Sequence, residues 1–143
     1  MEKSPKKISI LQIVVFGISF VVAFFAANYF FSDNEDSNSI LERTSKEMNE
    51  TMPKMIDTET RLDSTSVENT TLSYHYTLIN FVKDSSNLDL KTVKLVIKQK
   101  AQDNLDNNSA MKEYRENEIS LKYIYRDKNQ DLVFDYTVKH NKK

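Results

Sequence analysis

The sequence predicts an α+β protein: one N-terminal transmembrane helix, then a two-layer domain in the order helix-strand-strand-helix-strand-strand, its antiparallel sheet covered by helices on one face. Three observations predict it. Residues 8–31 carry no charge in a chain that is 29% charged. Two later segments repeat apolar residues at helical spacing, and four short ones alternate apolar with polar side chains.

The uncharged run ISILQIVVFGISFVVAFFAANYFF would make a helix of roughly 36 Å, enough to cross a ~30 Å hydrocarbon core with some tilt. A cleaved signal peptide is the rival reading. Its apolar region would be shorter, and cutting after Ala26 or Ala27 would put Phe24 or Phe25 where a small residue is wanted. An uncleaved signal anchor is therefore expected. Lys3, Lys6 and Lys7 precede the run while Asp33, Glu35 and Asp36 follow it, which sets residues 1–7 in the cytoplasm and the rest outside. Ser19, Ala23 and Ala27 recur every four residues, a stripe that lets two spanning helices pair as a homodimer; ordinary span composition would give the same residues.

Residues 32–39 form an acidic linker, and 40–138 are one domain ahead of a basic tail at 139–143. Ser39 with Glu42 has capping-box spacing, and Leu41, Thr44, Met48, Met52 and Met55 follow at three- and four-residue steps, predicting a helix over about 40–52 that Pro53 stops. The methionines read as core fillers rather than a partner-binding stripe. From Thr58 the period becomes two. TRLDSTSVE and TTLSYHYTLINF read as a strand pair turning at Glu68–Thr70, with Leu72, Tyr74, Tyr76 and Leu78 inward. Ser85 or Ser86 would cap a helix over about 88–105, whose stripe is Leu90, Val93, Ile97, Ala101 and Leu105. Strands at 118–126 and 132–138 close the chain around the turn 127–131. Tyr74, Tyr76, Tyr123, Tyr125 and Tyr136 then fall on the buried face; set at its rim, they would line a ligand groove instead.

Composition excludes several classes of function. Outside the uncharged run and its basic flank, 17 lysines and arginines meet 20 acids, no footprint for nucleic acid. With no cysteine there is no thiol catalysis or cysteine zinc site, and the one glycine, Gly17, leaves no phosphate-cradling loop. His75 and His140 lack the spacing of zinc ligands, so neither metal nor cofactor is expected. Three Asn-x-Ser/Thr triplets, starting at Asn49, Asn69 and Asn107, are what an Asn-rich chain contains by chance. The densest polar cluster is Asp57, Glu59, Arg61 and Asp63. Paired carboxylates can do acid–base work, but the alternating signs fit mutual pairing better, and Glu59, Arg61 and Asp63 are the candidate partner-binding residues.

MPKMIDTETRLD at 52–63, followed by LSYHYTL at 72–78, resembles a pattern in small membrane-anchored proteins of Gram-negative bacteria. The hairpin at 127–131 extends the likeness, except that Gln130 stands where glycine is expected. The resemblance implies a single-pass inner-membrane protein with a periplasmic domain and carries over no functional residues. The expected function is a non-enzymatic binding or assembly protein engaging the membrane and another envelope protein. A small-ligand sensor or carrier using the tyrosine-lined sheet is the alternative.

Overall fold

The structure, a computed structural model, describes residues 36–142. The first helix, α1, runs Ser37–Asn49. Its cap is Asp36, not Ser39: the Asp36 carboxylate accepts from the Ser39 N–H and hydroxyl at 3.0 and 2.8 Å, satisfying a donor that the helix leaves open. Ile40, Leu41, Thr44, Ser45 and Met48 form the buried side. Met48 is core as expected, whereas Met55 is exposed.

Five strands form one sheet in chain order: β1 Lys54–Met55, β2 Thr60–Glu68, β3 Thr71–Leu78, β4 Ser120–Asp127 and β5 Leu132–Val138. The expected antiparallel sheet is corrected here. β3 and β4 pair in parallel, from Thr71 opposite Ser120 to Leu78 opposite Asp127, so the sheet is mixed. Two hairpins meet side by side at this pair, and a parallel join requires a crossover of a dozen or more residues. The crossover is 79–119, containing α2, Leu90–Asn107, and the short α3, Lys112–Glu116. Asp89 caps α2 rather than Ser85 or Ser86, and Val93, Ile97, Ala101 and Leu105 are its buried stripe.

The membrane-spanning, signal-anchor part of the expected fold is also corrected. Among the described residues no helix is long and apolar enough to cross a membrane, and the run 8–31, with Ser19, Ala23 and Ala27, lies outside them.

One face of the sheet carries the core. The register sets Tyr74, Tyr123 and Tyr136 in one cross-strand row and Tyr76, Tyr125 and Phe134 in the next. Neighbouring ring centroids along these rows are 4.8–5.2 Å apart, the spacing of favourable aromatic pairs. No tyrosine of this array is more than 4% exposed, so the rings are packed interior and not a groove rim. Burial raises the pKa of all five.

Candidate functional site

The other face of the sheet is polar, and a bulge in β2 builds its centre. Leu62 pairs with Tyr76 while Ser64 pairs with His75, leaving Asp63 as the extra residue. Strict alternation would send Thr65 and Val67 outward with Arg61. Because Asp63 and Ser64 together oppose one partner, Thr65 and Val67 return to the side of Leu62, and Arg61 and Asp63 remain on the open face. Leu62 is fully buried, as its place between two outward residues requires.

Arg61 Nε donates to Asp63 Oδ1, and the Thr77 hydroxyl donates to Asp63 Oδ2, each at 2.5 Å. The Gln130 amide then donates to Thr77 Oγ1 at 3.3 Å. This four-residue relay crosses from β2 through β3 to the β4–β5 turn. Gln130 holds φ 69°, the left-handed region that a side chain disfavours. The position where the sequence pattern expects glycine has thus exchanged backbone ease for an amide that closes the relay.

His75 sits beside it, its Nε2 2.8 Å from the Ser66 hydroxyl. Partial burial lowers its pKa first; Arg126 and Lys122 push the same way while Asp63 pulls back, so the ring favours the neutral state. On β4, Lys122, Ile124 and Arg126 point outward at two-residue steps. Arg126 donates only to the Gln130 carbonyl, at 3.3 Å, and among the described residues neither it nor Lys122 has a carboxylate partner.

The structure brings Arg61 and Asp63 together but not Glu59, whose carboxylate accepts from the Asn80 amide at 2.9 Å. Asp57 turns inward instead, accepting the Glu59 and Thr60 N–H groups at 2.8 Å. Burial raises its pKa against those bonds. Both Asp63 oxygens accept hydrogen bonds, from Arg61 and from Thr77, which fix the side chain in place. Among the described residues, no group of three or more His, Cys, Asp or Glu could hold a metal ion. Thr77 and Gln130 were missed from sequence because only the fold brings Thr77 to Asp63 and Gln130 to Thr77.

The family model described as Domain of unknown function (DUF8479) matches residues 29–141. No curated protein matches the chain. Among solved structures, a Pseudomonas aeruginosa protein assigned as secreted has a TM-score of 0.58 at 16% identity, over 78% of this chain and 96% of its own. The type 2 secretion system pilotin EpsS from Vibrio vulnificus has a TM-score of 0.54 at 8% identity, and the type II secretion system pilotin AspS from Vibrio cholerae 0.50 at 14%. Each pilotin match covers 71% of this chain and 86% of the pilotin. At such identities the likeness is one of fold. The single-pass inner-membrane placement is corrected as well: the described residues hold no spanning helix, the neighbour of highest TM-score here is assigned as secreted, and pairing through a membrane helix has no support.

Proposed function

We propose that this chain, which belongs to the DUF8479 family, is a non-catalytic binding and assembly protein of the bacterial envelope that docks another envelope protein on the open face of its sheet. The observation that carries this reading is the row Lys122, Ile124 and Arg126, whose cations form no ion pair among the described residues, beside the Arg61–Asp63–Thr77–Gln130 relay. A half-buried isoleucine between two cations complements an extended segment with an apolar residue flanked by acids. The fold shared with two pilotins supports an assembly role over an enzymatic one.

The test uses the full chain as bait against envelope fractions, comparing wild type with Lys122→Glu/Arg126→Glu and with Arg61→Ala/Asp63→Ala. An envelope protein retained by wild type should be lost with the first variant and weakened with the second. Melting should change little with the first variant, whose two cations have no carboxylate partner to lose among the described residues. Equal retention by wild type and the charge-reversed variant would remove this face from the binding surface.

A further inference from the structure

Beyond β5 the chain turns back along α2. Lys139 accepts the Gln102 amide at 2.8 Å through its carbonyl, and His140 Nδ1 meets Asp106 Oδ1 at 2.6 Å. The Asp106 pKa is lowered: burial would raise it, but bonds from Gln102 and His140, the charge on His140 and the Asn141 N–H outweigh that effect. With Nδ1 engaged, only Nε2 of His140 remains to meet a ligand. The ring lines two adjoining clefts, one of about 410 Å³ beside Asp106 and Asn107, the other of about 540 Å³ beside Lys112, Arg115, Glu116 and Lys142.

Every side chain lining the larger cleft is charged or titratable. Arg115 is held by the carbonyls of Leu105 and Asn108 at 2.8 and 2.7 Å, both through Nη1, which fixes the guanidinium and, among the described residues, leaves Nε and Nη2 for a ligand. Lys112 meets Glu116 only loosely, at 3.6 Å, while Lys142 pairs with Glu118 at 2.6 Å, and all four side chains are more than half exposed. Of the three cations in the lining, Lys112 and Lys142 meet Glu116 and Glu118, and Arg115 has no carboxylate partner among the described residues. A fixed guanidinium fork flanked by two exposed lysines and a carboxylate-oriented imidazole fits a planar or tetrahedral oxyanion better than an apolar ligand.

We propose that the cleft formed by α3, the end of α2 and residues 139–142 binds a phosphoryl group, free or carried on a larger molecule. The oxyanion accepts from Arg115 and from Lys112, and the His140 ring, held in place by Asp106, lies against it. This site lies on the helix side of the sheet, and the docking proposed on the opposite face neither requires it nor follows from it.

The test titrates the purified full chain with inorganic phosphate at constant ionic strength and follows the imidazole resonances by NMR. The chain has two histidines, so His75 on the other face serves as the internal control. A saturable shift at His140 with none at His75 is expected. Lys112→Ala, a change at an exposed side chain, should weaken binding by about threefold to tenfold, and Arg115→Ala by tenfold or more, as loss of charge-assisted bonds implies. Glycerol phosphate distinguishes the sources: binding at least as tight as that of inorganic phosphate assigns a phosphoryl group on a larger molecule, and weaker binding assigns the free ion. A glutamate-rich peptide that shifts His140 at lower concentration than phosphate would overturn the proposal in favour of an acidic segment. Parallel, unsaturable drift of both histidines, or unchanged affinity in Lys112→Ala and Arg115→Ala alike, would overturn it outright.

Discussion

Asp127 ties three parts of the chain together through backbone donors. Its carboxylate accepts the N–H groups of Lys83, Asn129 and Asp131 at 3.0, 2.8 and 3.0 Å. Its pKa is lowered from the ordinary 3.8, chiefly by the Lys83 N–H, with burial opposing and the other two N–H groups and the Lys83 charge reinforcing. A depressed carboxylate stabilises the fold fully above its unfolded pKa and loses that contribution as pH falls through the folded value. Asp127→Asn should therefore lower the melting temperature at pH 7 and flatten its fall below pH 4, as followed by circular dichroism across pH. A parallel fall in wild type and variant would refute the assignment. His75 acts in the same direction at higher pH: its folded pKa lies below 6.5, so protonation costs stability as pH drops under that value. These residues differ in legibility. Arg61 and Asp63 could be paired from their two-residue spacing alone, whereas His140 and Asp106 are 34 positions apart and only the fold makes them a pair.

At the level of elements, the helices and longer strands were legible because burial imposes a period. Val93, Ile97, Ala101 and Leu105 of the expected α2 stripe are buried while Leu90 is half-buried, and alternation gives the right inward residues in β3 and β4; in β5 it holds from Phe134 onward, but at the start of the strand Leu132 is exposed and Val133 buried in its place. Helix starts were misplaced because Ser and Asp are comparable caps and both stand near each start. β1 and α3, of two and five residues, are too short to carry a period. The β2 bulge explains why alternation fails in that strand, as a second register shift, beside Tyr125 and Arg126, explains it at the start of β5. Since Asp63 is the added residue, deleting it should leave Leu62, Thr65 and Val67 facing the core and cost little in denaturant midpoint. Deleting Thr65 should turn Ser66 inward and Val67 outward and unfold the domain. Comparable loss from the two deletions would contradict the register.

For the whole molecule, the sequence supplied two strand pairs and two helices but not which edges meet. Hairpin spacing suggests antiparallel neighbours throughout, and nothing local in β3 or β4 records that they lie parallel; the long segment between them was the available sign. The function was less legible still, because the open face owes its character to side chains from three strands and a turn rather than to a motif. The parallel join has a kinetic consequence. β2–β3 and β4–β5 each close across a short turn, while β3–β4 closes only after 79–119 has been gathered in, at a greater loop-closure entropy. Each hairpin should therefore form ahead of the seam between them. In pulse-labelled hydrogen exchange during refolding, amides bonded within the hairpins should gain protection before those bridging β3 and β4; simultaneous protection would mean that the crossover is organised from the outset. Until the seam closes, both hairpins present an unpaired inner edge, so the interval before closure is when the chain is most exposed to pairing with another copy of itself.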